Sequence, residues 1–200
     1  MINQLTCFKA YDIRGRIPDE LNTEIAYRIG RAYAEKIQPK RVIVGHDIRL
    51  SSNEIAQAVI NGLLDSGVKV FDIGMCGTEE VYYATFSYQD AGEKMDGGIM
   101  ITASHNPKDY NGMKLVREFS KPISGDTGLN DIKLLAETNI FPKPLQNRHS
   151  VIPVSNGADY TQHLLAYFNP LVLKPFTIVV NAGNGAADTS LIGSKQLCNH

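Results

Sequence analysis

Arg41-Val42-Ile43-Val44-Gly45 is a short β-branched run, the composition of a buried strand. Just after it, Ser51-Ser52-Asn53-Glu54 has the capping-box pattern, Ser51 with Glu54, and predicts a helix to about Ser66. Val68 to Ile73 reads as a second strand, so a strand–helix–strand unit fills this stretch. The alternation continues outward on both sides. Upstream, Asn22 to Ile37 carries Ile25, Ile29, Ala32, Tyr33 and Ile37 at helical spacing, and Pro39 stops it. Downstream, Thr78-Glu79-Glu80 starts a helix with its acidic residues where the helix dipole favours them. Gly98 to Thr102 is a third strand and Met113 to Val116 a fourth, entered by a turn at Asn111-Gly112. A helix near Gly128 to Glu137 closes the unit. Such repetition predicts an α/β protein: a layered α/β/α domain with a mixed, mostly parallel sheet, and one antiparallel pairing at the turn before Met113.

The expected domain covers residues 1–140, followed by a linker at 141–155. Asn139 to Ser155 has Pro142, Pro144 and Pro153 and no apolar period. Beyond it come a helix near Asp159 to Phe168, a strand Thr177-Ile178-Val179-Val180 and the turn Asn181-Ala182-Gly183-Asn184-Gly185. Residues 156–200 thus read as the incomplete start of a second α/β domain, too short to bury a core of its own. After Ala187 no helical stripe follows the turn, and the chain is expected to be cut short. The turn lacks the GxGxxG spacing of a dinucleotide site and reads as structural.

Composition bounds the partners. With 43% apolar and 20% charged residues, the chain is neither disordered nor fibrous. A net charge of −1 supplies no field to draw in nucleic acid or an anionic membrane. No apolar run is long enough to span a membrane, and Met1 to Thr6 lacks the basic and apolar regions of a secretory signal. A cytoplasmic location is expected. Cys7, Cys76 and Cys198 are far apart, with no CxxC, and read as reduced thiols.

The strongest chemical signal is Thr102-Ala103-Ser104-His105-Asn106-Pro107, directly after the third strand. Open α/β sheets place their sites at strand carboxyl ends. Here a hydroxyl, an imidazole and an amide sit in consecutive positions, and Pro107 rigidifies the loop. Lys114 follows, placed so that a reversal of the chain returns its ammonium toward Ser104. A second candidate is Tyr11-Asp12-Ile13-Arg14-Gly15-Arg16. An Arg suits bidentate contact with phosphate oxygens, and the glycine after it permits close backbone approach to a ligand; the alternative is a surface turn with a solvated Arg. A serine hydrolase is disfavoured. Adjacent Ser and His rarely face each other, and no GxSxG elbow occurs.

Four segments occur in order: Tyr11-Asp12-Ile13-Arg14-Gly15, Gly45-His46-Asp47-Ile48-Arg49-Leu50-Ser51-Ser52, Thr102 to Pro107, and Tyr110-Asn111-Gly112-Met113-Lys114. Together they resemble the amino-terminal domain of the α-D-phosphohexomutases over about residues 5 to 187. Leu5 to Ala10, Gly77-Thr78-Glu79-Glu80 and Tyr110 with Met113-Lys114-Leu115 resemble the bacterial phosphomannomutase branch in particular. The resemblance implies a phosphoserine at Ser104 that hands its phosphoryl group to a hexose phosphate and takes another back, interconverting mannose 6-phosphate and mannose 1-phosphate. It implies Mg²⁺, with an oxygen on Ser104 as one ligand, and a hexose bisphosphate as primer. Arg14 and Lys114 would face the serine phosphate and the sugar hydroxyl. Lys114 would act as general acid or base, eased by the neighbouring Arg14, or as a fixed charge on the phosphate. His105 would orient or polarise the phosphate, or pack within its loop. Tyr11 and Asn106 would line or brace the site. Asp47 and Arg49 are expected to be a structural pair or a helix-entry device.

The chain also departs from that family. Its metal loop, of the type Asp-Gly-Asp-x-Asp-Arg, has no counterpart, since no Asp-x-Asp occurs, and the sugar-reading and phosphate-gripping domains are not present. A fragment inactive alone is therefore expected. A phosphoglucomutase or phosphoglucosamine mutase fragment is the second reading. A non-catalytic remnant, or a half that associates with a carboxyl-terminal portion, is the third.

Overall fold

The computed structural model describes residues 4–167 and the single positions 169, 177, 179 and 181. Its elements in chain order are β1 Ile13–Arg16, α1 Thr23–Ile37, β2 Arg41–His46, α2 Ser52–Asp65, β3 Lys69–Met75, α3 Thr78–Ser87, β4 Gln89–Asp90, β5 Glu93–Lys94, β6 Gly97–Ile101, β7 Tyr110–Arg117, β8 Lys121–Pro122, α4 Leu129–Thr138, β9 Ile152–Pro153 and α5 Gly157–Leu165. The main sheet runs β1-β7-β6-β2-β3-β9, with β8 also on β7, and β4 and β5 form a separate hairpin. The β2–β3, β2–β6 and β3–β9 pairs are parallel; β1, β6 and β8 all pair antiparallel to β7. Hence β7 alone runs against the other strands of this sheet, which is mixed and mostly parallel in direction, as the α/β alternation predicts.

Two apolar faces sandwich the sheet. Val42 and Val44 of β2, Ile99 and Ile101 of β6, and Met113 and Leu115 of β7 join α1, α2 and α4 in the larger core. The alternate residues Ile43, Phe71 and Met100 meet Val81 and Ala84 of α3 on the other face. Period-two alternation with both faces covered is what gives the strands their near-continuous apolar runs. Asn22 caps α1 by accepting from the Ile25 N–H at 3.0 Å, and Gln38 ends it in the left-handed region at φ 52°. The α1 and α2 backbones touch through Gly30 and Gly62. A Cβ on Gly62 would lie 2.3 Å from the Tyr27 carbonyl oxygen, so only glycine fits. Tyr33, fully buried, donates its hydroxyl to the Val116 carbonyl at 2.7 Å.

Two local expectations are corrected. Ser51 does not form the capping box with Glu54. It has helical φ and ψ and makes no side-chain cap; its hydroxyl instead accepts from Asn111 Nδ2 at 2.8 Å. Nor do Asn111-Gly112 form a turn. Both lie inside β7, opposite Gly15 and Arg14 of β1, and a Cβ on Gly112 would fall 2.1 Å from the Ile13 carbonyl oxygen. The reversal before Met113 is made earlier, by residues 102–109.

The proline-rich stretch after α4 lies along the domain. Pro142 accepts from Arg31 at 2.7 Å, the Leu145 N–H donates to Asp65, and Arg148 pairs with Asp65 at 3.1 Å. β9 then extends the sheet, because Val154 donates to the Asp72 carbonyl. α5 rests on α3 through Tyr83 against Tyr160 and His163. The strand expected at 177–180 and the turn at 181–187 fall where only single positions are described, and Cys198 lies outside the described residues. Cys7 and Cys76 are buried and free.

Candidate active site

β2 and β6 end side by side, with His46 opposite Ile101, and His46 also pairs with Met75 at the end of β3. The loops that leave these strands therefore share the carboxyl edge of the sheet. The loop from β6 is also the reversal into β7, and it carries Ser104. Ser104 and His105 are exposed, while Thr102 and Ala103 before them are buried. The serine sits in the left-handed region at φ 51°, a conformation that costs a non-glycine residue about 1–2 kcal/mol and needs support from its surroundings.

Arg49 gives that support. Its Nη2 donates to the carbonyls of Ser104 at 2.8 Å and Asn106 at 2.6 Å. Its Nη1 donates to those of Pro107 at 2.7 Å and Tyr110 at 3.0 Å. Nε lies 3.5 Å from Asp47 Oδ2. Asp47 also ties the loop down from the other side. It accepts from Thr102 Oγ1 at 2.8 Å, Ser52 Oγ at 2.5 Å and the Arg49 N–H at 3.0 Å. Thr102 Oγ1 in turn accepts from the Ser104 N–H at 3.0 Å. Asn106 Nδ2 donates to the Ala103 carbonyl at 2.7 Å, bracing the loop. Asp47 and Arg49 are a structural pair as expected. That the pair is spent on the serine loop was not legible, although its place just past a strand end was the available signal.

Register places Arg14 and Lys114 relative to each other, and neither side chain makes a hydrogen bond to Ser104 or His105 among the described residues. Arg14 stands opposite Gly112, and Lys114 is two residues further along β7. Directly opposed residues and residues two apart share a face, so both cations occupy the α3 side of the sheet, with no side chain at Gly112 between them. Arg14 Nη2 is paired with Asp12 Oδ2 at 2.7 Å. Lys114 is half-buried and has no hydrogen bond or ion pair among the described residues. Tyr11 is 80% exposed beside the Arg14 strand. Gly15 differs from expectation. It is buried, and a Cβ there would lie 3.0 Å from the Cβ atoms of Cys7 and Glu20, so its smallness serves packing within the chain and not approach by a ligand.

The described residues do not by themselves assemble a site for a divalent cation. Among the described residues no cluster of three or more His, Cys, Asp or Glu side chains is placed to hold a metal. The carboxylates of Asp47 and Asp12 are already engaged.

The family model for the phosphoglucomutase/phosphomannomutase α/β/α domain I matches residues 5–142. A phosphomannomutase from Salmonella montevideo is 56% identical over 188 residues, which cover 93% of this chain and 40% of that protein. A phosphomannomutase from Klebsiella pneumoniae is 60% identical over 141 residues, covering 70% of this chain and 87% of that one. The solved structure of a phosphoglucomutase/phosphomannomutase family protein from Burkholderia thailandensis superimposes with a TM-score of 0.73 at 32% identity, covering 83% of this chain and 36% of that chain. The fold is thus that of a phosphosugar mutase domain, and the chain belongs to the phosphoglucomutase/phosphomannomutase family. It spans about two-fifths of the length of the Salmonella relative. Among the described residues no helix is long and apolar enough to cross a membrane.

Proposed function

We propose that this chain is the serine-bearing domain of a phosphomannomutase, with Ser104 as the relay between mannose 6-phosphate and mannose 1-phosphate. In the forward half-reaction a sugar hydroxyl attacks the phosphorus of phospho-Ser104. The Ser104 Oγ–P bond breaks, the new O–P bond yields a hexose bisphosphate, and Oγ leaves with the proton that the hydroxyl gives up. In the second half-reaction Ser104 Oγ attacks the other phosphate and the remaining monophosphate departs. A hexose bisphosphate primes an unmodified serine by the same second step. The carrying observation is the loop's arrangement: an exposed Ser104 held in a left-handed conformation by Arg49, at the carboxyl edge of the sheet. Phosphoryl transfer depends mainly on positioning and charge stabilisation. Arg14 and Lys114 supply positive charge on one face, and Lys114 is the group proposed to move the hydroxyl proton. His105, exposed beside the serine, orients the phosphate. The sugar-reading parts belong to the further length that the relatives carry, joined to this chain or supplied by a partner polypeptide, and the chain alone is expected to be inactive.

The test is a chimera in which this chain replaces the matching first two-fifths of the Salmonella relative. With Mg²⁺ and a trace of hexose bisphosphate, the chimera interconverts mannose phosphates, and Ser104→Ala abolishes this. Activity that survives the substitution ends the relay reading.

A further inference from the structure

We infer that Arg49 is a positioning residue that builds an anion cradle out of the backbone of the serine loop. The inference rests on Ser104 being the phosphate carrier. A guanidinium has five N–H donors. Here four carbonyl oxygens accept from Nη1 and Nη2, and Nε lies 3.5 Å from Asp47 Oδ2, so both ends of the fork are spent within the chain. Its effect must pass through the peptide units it holds.

Those units are all trans, and a trans peptide points its C=O and N–H in opposite directions. Drawing the Ser104 and Pro107 carbonyls onto the guanidinium turns the N–H groups of His105 and Lys108 away from it. Neither N–H donates to any described residue. The Asn106 carbonyl precedes Pro107, which has no N–H, and the Tyr110 carbonyl precedes Asn111, which lies inside β7 opposite Gly15. The left-handed Ser104 lies in the same turn, and its neighbour Asn106 spends its own N–H on the Ala103 carbonyl at 3.0 Å, so the His105 and Lys108 groups are the ones left over. Arg49 thus presents two free N–H donors to a phosphate on Ser104 from behind the loop.

The test separates this from the relay reading. Phosphoserine is installed at position 104 of the full chain by genetic encoding, so no transfer by the protein is required. Phosphorus NMR follows the phosphate through its second ionisation, and proton–nitrogen spectra follow the His105 and Lys108 amides. The expected result is a dianion that forms at lower pH than on free phosphoserine, with both amide protons moving downfield as it forms. Donors that favour the more charged form shift the titration this way. In Arg49→Gln the midpoint rises toward that of free phosphoserine and the two amide responses are lost. Arg49→Lys, with three donors at one point, falls between. His105, Lys108, Arg14 and Lys114 also bear on this phosphate, but they are the same in all three proteins, so the difference reports Arg49. An unchanged midpoint in Arg49→Gln overturns the inference. So do silent His105 and Lys108 amides in the unsubstituted phosphoprotein, which settles the matter even if both variants fail to fold. Failure of the relay reading shows instead as serine-independent activity in the chimera.

Discussion

Replacing Asp47 with alanine tests whether the carboxyl edge is held together as described. The carboxylate accepts from Ser52 Oγ at 2.5 Å and Thr102 Oγ1 at 2.8 Å, and these residues are 0% and 7% exposed. Ser52 Oγ and Thr102 Oγ1 otherwise act as acceptors, from Asn111 Nδ2 and the Ser104 N–H respectively. In Asp47→Ala both hydroxyl protons therefore lose their acceptor at a site that water reaches only in part, since the Asp47 side chain is 20% exposed. A buried donor left unsatisfied costs about 1–3 kcal/mol. Loss of the Arg49 contact adds less than about 1 kcal/mol, since that pair is partly solvated. The expected destabilisation is about 3–5 kcal/mol, a large share of the roughly 5–15 kcal/mol that holds a domain folded.

The assay is urea unfolding followed by far-ultraviolet circular dichroism, because the chain has no Trp. Asp47→Asn is the control. Its amide keeps the shape and one acceptor oxygen but turns an NH₂ toward the second hydroxyl, so about half the loss returns. A midpoint for Asp47→Ala that implies less than about 1 kcal/mol of destabilisation would refute the claim that this carboxylate joins α2, Arg49 and the serine loop.

Two further outcomes follow from the rest of the molecule. Gly62→Ala forces apart the helices that touch at Tyr27 and is expected to lower stability by about 2 kcal/mol or more, while leaving the phosphorus titration at position 104 unchanged; a normal melting temperature would contradict the contact. Burial pushes the Cys7 thiol up to about 11 and the Cys76 thiol up to about 12 from a reference of 9.0, so both should resist thiol reagents at neutral pH in the native state. These folded pKa values lie above the unfolded one. The thiols' contribution to stability is therefore complete below pH 9 and lost as pH rises toward 11–12, which pH-dependent urea midpoints of the double Cys→Ser variant and the parent will show.

Much of the fold was legible because strands buried on both faces leave continuous β-branched runs, as at Arg41 to Gly45, and amphipathic helices leave a spaced apolar stripe, as in α1. The misreadings occur where long-range contacts override local chemistry. Ser51 and Glu54 have the spacing of a capping box, but the Ser51 hydroxyl is engaged by Asn111, sixty residues away. Asn111-Gly112 has the composition of a hairpin turn, yet Gly112 is small because β1 runs over it. In the site, Ser104, His105, Asn106 and Pro107 stood out because they are contiguous. Arg49 could not be assigned its task from spacing, since its four acceptors lie 55 to 61 positions further along the chain.

The same topology accounts for the order of the segments that mark the site. β7 is the one strand of the main sheet that opposes the others, so the chain must reverse at the carboxyl edge between β6 and β7, and the serine loop is that reversal. Having turned, β7 presents Gly112 and Lys114 to one face, while β1, added on its outer side, sets Arg14 opposite Gly112. A side chain at position 112 would block β1 and displace Arg14; a β7 shifted by one residue would turn Lys114 into the larger core. The loop's own conformation is fixed from the neighbouring strand, by Asp47 and Arg49 just beyond β2. Each of the four segments therefore supplies a part that another cannot: the cation from β1, the clamp from β2, the serine from the β6 loop and the lysine from β7. Their separation in sequence follows from the strand order.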